Sequence, residues 1–170
     1  MSDFISPSTG ITVALNSGAL AAGTNAGTVK TTVAINYLLD GTFYSKAITD
    51  NMSIAYTGPT VYQAPGGVGT INGSFTGGSN GSTRLYLLTL NAAGTLVVLP
   101  GPIVDSAELA AGRAPLQFPD DPINTCTIGA LRVAVTANTT FTPGSVDLSA
   151  SGVTASFINL ATVPANPLTA

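Results

Sequence analysis

A regular alternation of apolar and polar residues, interrupted by turn-forming residues, restricts this chain to β-structure. From Thr28 to Tyr37 every second residue is apolar or a β-branched threonine, the pattern of a strand with one buried face. Asp40 and Gly41 follow, and this pair favours a type I′ turn, in which both central residues need positive φ. Residues 42 to 46 would then return as the second strand of a β-hairpin.

The same pattern recurs along the chain and predicts an all-β fold. Further strands are predicted at residues 52–57, 83–90, 95–99, 128–137, 146–148 and 153–160. The strands at 83–90 and 95–99 are mostly apolar and are expected to be central. Asp105, Glu108 and Gly112 predict one short helix with a capping box and a left-handed C-terminal residue. We therefore expect an all-β antiparallel sandwich or partly closed barrel of about seven or eight short strands.

The chain is expected to have three parts, the first of which offers candidate contacts. Residues 1–27 are poor in large side chains and predict an extended N-terminal arm, because such a segment buries little apolar area. Residues 28–162 would form the β-domain, and residues 163–170, spaced by prolines, a C-terminal tail. Candidate subunit-contact residues in the arm are Phe4, Ile5, Ile11, Val13 and Leu15. The arm either adds a strand to a neighbouring subunit or is a disordered tail.

Charge is scarce, which limits the partners of the chain. Only 8% of the residues are charged, against about 25% in a typical soluble domain, so much of the surface is expected to be covered by other subunits or by a partner. The net charge is −3 and the five cations are scattered, which predicts no nucleic-acid binding. No run of apolar residues is long enough for a membrane span, and no secretory signal is recognisable, so cytoplasmic synthesis is expected.

The residue types available for chemistry argue against an enzyme. The sequence has no histidine and one cysteine, Cys126, so histidine-assisted nucleophilic catalysis and Cys/His metal sites are excluded. Most of the eight acids lie beside Gly, Pro or Ser in predicted turns, where they are expected to bond to nearby backbone. Asp120 and Asp121 are adjacent in an extended segment and point to opposite sides, which disfavours calcium binding. We expect no catalytic residue, cofactor or metal.

Four segments of the chain resemble small virion proteins of tailed bacteriophages, a group that includes head decoration (cement) proteins and head-fibre or tail components. The segments are LLDGTFYSKAITDN at 38–51, RLYLLTLNAAGTL at 84–96, IGALRV at 128–133 and FTPG at 141–144. The resemblance covers about residues 28–150. It implies an oligomeric β-protein, often a trimer, that sits on the capsid shell at contacts between major capsid proteins and reinforces it.

The sequence and the resemblance together predict a virion structural protein. It would be assembled in the host cytoplasm and located on the capsid surface, where it would bind the major capsid protein and stabilise the capsid. A homotrimer is favoured because closed threefold symmetry matches local threefold points of an icosahedral lattice. The alternative is a tail or fibre component that binds a host-surface glycan through exposed aromatic residues at Tyr44, Tyr56, Tyr62 and Phe75. A polysaccharide-degrading enzyme is the weakest alternative.

Overall fold

The computed structural model describes residues 10–58, 61–64, 67–70 and 73–160, which are mostly in antiparallel strands. The first six strands are β1 (Val13–Ala14), β2 (Leu20–Ala22), β3 (Thr28–Thr31), β4 (Ile35–Leu39), β5 (Thr42–Lys46) and β6 (Met52–Ser53). They are followed by β7 (Val61–Ala64), β8 (Gly67–Thr70) and β9 (Phe75–Thr76). The remaining elements are β10 (Ser82–Asn91), β11 (Leu96–Asp105), helix α1 (Ser106–Ala110), β12 (Thr125–Val135), β13 (Thr140–Phe141) and β14 (Val153–Asn159).

The longest strands form a four-stranded sheet in the order β11-β10-β12-β14. In this sheet Leu87 of β10 lies between Leu99 of β11 and Ala130 of β12. Strand β10 is buried from Ser82 to Leu90, so it is covered on both faces, which agrees with its mostly apolar sequence. This sheet is the framework on which the shorter elements pack.

Short sheets cover one face of the four-stranded sheet and enclose the main core. Their orders are β1-β4-β5, β2-β3-β6 and β13-β9. Strands β7 and β8 form a separate two-stranded sheet. The core between the layers includes Tyr37, Ile54, Tyr86, Leu131 and Phe141. The predicted all-β antiparallel fold is confirmed, and its layers are those of a sandwich. No barrel closes among the described strands.

Helix α1 lies over the other face of the four-stranded sheet. Asp105 is its N-cap, and the Asp105 carboxylate accepts hydrogen bonds from the N–H groups of Ala107 and Glu108. Gly112 beyond the C-terminus has φ of +68°. The N-cap and the left-handed C-terminal residue are confirmed, but the predicted capping box is not formed, because the Glu108 carboxylate accepts hydrogen bonds from the Arg113 guanidinium. The helix contributes Leu109 to a second, smaller cluster with Leu85, Val104 and Leu116.

Several predicted strands differ from the structure: residues 146–148 form no strand, and of residues 52–57 only Met52–Ser53 is a strand. The strand predicted over residues 28–37 breaks after Thr31, since the N–H groups of Thr32 and Val33 donate to the Gly18 carbonyl. Its halves, β3 and β4, therefore belong to different sheets. Strand β11 lies at the edge of the large sheet and not in its centre. It also continues past residue 99 to Asp105, with a bulge opposite β10.

Residues 10–27 pack on the body of the protein, which differs from the predicted arm over residues 1–27. Strand β1 pairs with β4, and β2 pairs with β3 across the boundary predicted at residue 28. Leu20 is buried, and its N–H donates to Asn159 Oδ1 at 3.2 Å. Pairing with strands of the same chain supplies the burial that these small residues lack on their own. Residues 1–9 and 161–170, and thus Phe4, Ile5 and the predicted tail, lie outside the described residues.

Candidate interaction surface

The β1-β4-β5 sheet turns one face toward the core. Ala14, Tyr37 and Tyr44 lie opposite one another on its three strands. Ala14 and Tyr37 are buried, and Tyr44 packs against the main core. The rings of Tyr37 and Tyr44 stack with their centroids 5.5 Å apart. We call these three residues the inner row.

The residues next to the inner row form an apolar outer face on the same sheet. Val13, Leu38 and Phe43 lie opposite one another, and because side chains alternate along a strand they point away from the core. Ile11 and Leu15 continue the alternation of β1 on this side. Ile11, Leu15 and Phe43 are 68%, 52% and 58% exposed, whereas Val13 and Leu38 are half-buried. The outer face is defined as these five residues.

The hairpin turn and the glycine before β1 hold the three strands together. Asp40 and Gly41 have φ of +49° and +77°, which confirms the predicted turn with two positive-φ residues. Asp40 Oδ1 accepts the Gly10 N–H at 2.8 Å, and Thr12 Oγ1 accepts the Asp40 N–H at 3.0 Å. A Cβ on residue 10 would collide with the turn backbone, so glycine permits this close approach. The segment before β1 is thus tied to the tip of the hairpin.

The outer face carries no charged side chain and is suited to contact with another macromolecule. Its closest charges in sequence are Asp40, whose carboxylate binds the Gly10 N–H, and Lys46. Lys46 lies opposite the buried Ile35, so its side chain leaves the sheet on the core side. Single exposed apolar residues are ordinary, but a contiguous apolar patch marks an interaction site. The row Val13, Leu38 and Phe43 makes this face contiguous.

Sequence reasoning found part of this surface and missed part of it. Ile11, Val13 and Leu15 were predicted contacts, and the structure places all three on the outer face. Strand β1 pairs with β4 of the same chain, which differs from both alternatives for the arm, a strand added to a neighbouring subunit and a disordered tail. Leu38 and Phe43, which share this face, were not among the predicted contacts. The signal was available, since the turn at residues 40 and 41 places both on the side opposite Tyr37.

The aromatic residues considered for glycan binding do not form a common exposed platform. Phe75 is buried, with its ring centroid 6.4 Å from that of Tyr86. Tyr44 stacks on Tyr37 in the inner row, and Tyr56 is half-buried. The side chain of Tyr62 lies outside the described residues. Phe75 is therefore corrected from an exposed candidate to a core residue.

Four acidic residues in the described segments accept hydrogen bonds from backbone or hydroxyl groups. Asp50 accepts hydrogen bonds from the hydroxyl and N–H of Thr24, and these bonds lower the pKa of Asp50. Bonds from the N–H and hydroxyl of Ser149 likewise lower the pKa of Asp147. With Asp40 in the hairpin and Asp105 at the helix N-cap, the turn and cap prediction is confirmed for these four acids. Within the described residues no three potential metal-ligating side chains cluster.

Two further features give no sign of a small-molecule site. Burial raises the pKa of Cys126 to about 11, so its thiol stays protonated and unreactive at neutral pH. An open groove of about 390 Å³ lies at the hairpin end of the large sheet. It is lined by Lys46, Met52, Ser53, Ala93, Gly94, Thr95 and Leu96. The groove contains one charged group and no cluster of convergent polar groups, which small-molecule sites usually provide.

One of the five cations is buried and is unavailable to the surface. The guanidinium of Arg84 donates to the carbonyls of Gly101 at 2.7 Å and Gly73 at 3.3 Å, and it lies 5.6 Å from the centroid of the Tyr86 ring. Burial lowers the pKa of Arg84 and raises that of Tyr86. The Tyr86 hydroxyl also donates to the Gly73 carbonyl at 2.6 Å. Arg84 thus ties strand β11 and the loop at Gly73 to β10, and the surface is less charged than the composition indicates.

Two findings complete the description of this surface. Comparison of the chain with protein-family models, with curated proteins and with solved structures finds no match. Among the described residues, no helix is long and apolar enough to cross a membrane.

Proposed function

We propose that this chain is a virion structural protein that decorates and stabilises a bacteriophage capsid, and that its outer face binds the major capsid protein. The observation that supports this most is the apolar row of Val13, Leu38 and Phe43 on a sheet whose inner row already fills the core. Three members of this face, Ile11, Leu15 and Phe43, are exposed although they are large and apolar. The scarcity of charge supports a surface that is covered by other proteins. The resemblance of four segments to small phage virion proteins supports a capsid protein as the partner.

The size of the outer face suits many weak, equivalent contacts. Full burial of one large apolar side chain contributes about 1.5–3 kcal/mol, and the entropy of association offsets a large part of that sum for a five-residue face. A capsid offers many identical sites, and an oligomer that binds several at once gains affinity through its effective concentration. The homo-oligomer, with a trimer favoured, belongs to this proposal as the source of that avidity.

The glycan-binding alternative for a tail or fibre component has weaker support. Glycan sites usually combine exposed aromatic rings with hydrogen-bonding groups, and of the aromatic residues considered Phe75 is in the core. Phe43 supplies the aromatic ring of the outer face, and the other four members of that face are aliphatic. Such a face matches an apolar protein surface better than a sugar.

Co-sedimentation with capsid shells assembled from the major capsid protein of the same virus tests the proposal. The double variant Leu15→Ser and Phe43→Ser removes two exposed members of the outer face, and we expect shell binding to weaken about tenfold or more. The matched control is Ile123→Ser, since Ile123 is 89% exposed and lies outside the outer face. We expect this control to bind as the wild type does.

Two results would overturn the proposal. One is decoration of shells by the double variant at wild-type occupancy, with thermal unfolding showing that all three proteins are folded. The other is a failure of the wild-type protein to sediment with the shells. Binding to host-surface glycans under the same conditions would support the alternative, and release of reducing sugars would indicate an enzyme.

A further inference from the structure

The two edges of the four-stranded sheet differ in their ability to accept another strand. Edge strand β11 contains Pro100 and Pro102, which lack an N–H donor, and its pairing with β10 shifts register between Arg84 and Tyr86. It also ends on the charged Asp105. Prolines, bulges and charges are the features by which natural sheets prevent pairing at an edge. Strand β11 is therefore a protected edge.

Edge strand β14 has none of these features. Its sequence, VTASFIN, contains no proline and no charged residue over seven positions. Its register with β12 runs without a shift from the pair of Gly129 and Asn159 to the pair of Val135 and Val153. A regular, uncharged edge strand of this length is a template for pairing with another strand.

The hydrogen bonds at the two ends of β14 show which of its backbone groups face the open edge. The Leu160 N–H donates to the Ile128 carbonyl, and the Thr136 N–H donates to the Gly152 carbonyl. Because antiparallel pairs alternate, the even-numbered residues of β14 bond to β12 and the odd-numbered ones point away. Within the described residues, the N–H and C=O groups of Ala155 and Phe157 therefore lack a strand partner.

We propose that the open edge of β14 pairs with β14 of a second copy of this chain, antiparallel and centred on Ser156. In this register residue 153 lies opposite residue 159 of the other copy, and Ala155 lies opposite Phe157. Ala155 and Phe157 then exchange backbone hydrogen bonds across the two-fold axis, while the Val153 N–H keeps its bond to the Ala150 carbonyl. The two four-stranded sheets become one continuous eight-stranded sheet.

The side chains of β14 fit a second copy. Val153, Ala155 and Phe157 are half-buried and pack against the core from one side only. Pairing places the small Ala155 beside the large Phe157 of the other copy, a combination that extends the core without a clash. Leu20 approaches β14 from the core side, against Gly129, and its N–H donates to the Asn159 side chain at one end of the strand.

The charges near β14 are also compatible with a two-fold contact. Arg132 on β12 lies opposite Ser156 and is the charged residue of β12. In the proposed pairing the two Arg132 residues are three strand spacings apart, about 14 Å, so their repulsion is weak in water. The interface is isologous and gives a dimer, which would take the place of the trimer favoured above as the source of avidity. It shares no residue with the outer face.

Mass measurement of the purified protein in solution tests this pairing directly. We expect a species of twice the 16.9 kDa chain mass in equilibrium with the monomer. The variant Ser156→Lys places two lysines opposite each other at the two-fold axis, beside Arg132 of each copy, and we expect the dimer dissociation constant to rise about tenfold. Ser156 is exposed, so the variant retains the core of the monomer. The matched control is Ile103→Lys on β11, which leaves the dimer unchanged.

A mixing experiment separates repulsion at the axis from general destabilisation. We expect Ser156→Lys and Ser156→Glu each to dimerise weakly alone and to form a mixed dimer together, because opposite charges then face each other. A wild-type protein that is monomeric or trimeric would overturn the pairing, as would a Ser156→Lys dimer of wild-type affinity. These experiments test β14 alone. A negative result would overturn the β14 pairing and would not affect the shell-binding test of the outer face.

Discussion

The inner row and the outer face occupy the same three strands, yet they have opposite relations to solvent. Tyr37 on β4 is 1% exposed and lies in the core, while its neighbour Leu38 points to the other side. Phe43 and Tyr44 on β5 show the same contrast. The comparison teaches that apolar composition alone does not identify a core residue in a sheet. An apolar residue of the sheet has a structural role when other elements of the chain cover its side. It is a candidate contact residue when its side is left exposed.

The largest expected effect comes from removing the ring at the centre of the inner row. Tyr37→Ala creates a cavity in the core and removes the stack on Tyr44, so we expect a loss of about 3–5 kcal/mol in the free energy of unfolding. Denaturant unfolding measures it. The control is Phe43→Ala on the outer face, where we expect a loss of less than about 1 kcal/mol. Equal losses for the two variants would contradict the division into inner and outer residues.

A smaller effect is expected at the turn that sets the register of both rows. Gly41 has φ of +77°, and an alanine in this conformation costs about 1–2 kcal/mol. We expect Gly41→Ala to lower the free energy of unfolding by this amount. The matched control is Gly78→Ala, where an added Cβ has no heavy atom within 4 Å and φ is not positive. A change in the control as large as that at Gly41 would show that the turn geometry is not the cause.

The smallest effect concerns the pH dependence of the inner row. Burial raises the pKa of Tyr37, so the neutral phenol contributes stability below about pH 10, and this contribution is lost as pH rises through the folded-state value. The Tyr37 hydroxyl also donates to the Asn91 carbonyl at 2.8 Å. We expect Tyr37→Phe to cost about 1 kcal/mol at neutral pH and to lose less stability than the wild type above pH 10. Parallel pH curves for the two proteins, measured by urea unfolding, would contradict this.

Local sequence signals predicted the parts of the fold that depend on neighbouring residues. The turn at Asp40 and Gly41 and the N-cap at Asp105 were predicted correctly, because each depends on backbone conformation within a few residues. The break after Thr31 was not predicted, since its cause is the carbonyl of Gly18. Apolar alternation in the predicted arm identified Ile11, Val13 and Leu15 as candidate contacts. The surface that they share with Leu38 and Phe43 depends on the pairing of β1 with β4, which the sequence did not predict.

The sequence by itself determined the all-β class, the turn and cap positions, and the scarcity of surface charge, because period-two patterning, turn chemistry and composition are local or global properties of the chain. Tertiary structure alone decided three other features. It packed residues 10–27 onto the body, it buried Arg84 among backbone carbonyls, and it left β14 as the unprotected edge of the large sheet. The physical reason is that burial and strand pairing depend on partners distant in sequence, and each pairing covers one face or edge while leaving the other exposed.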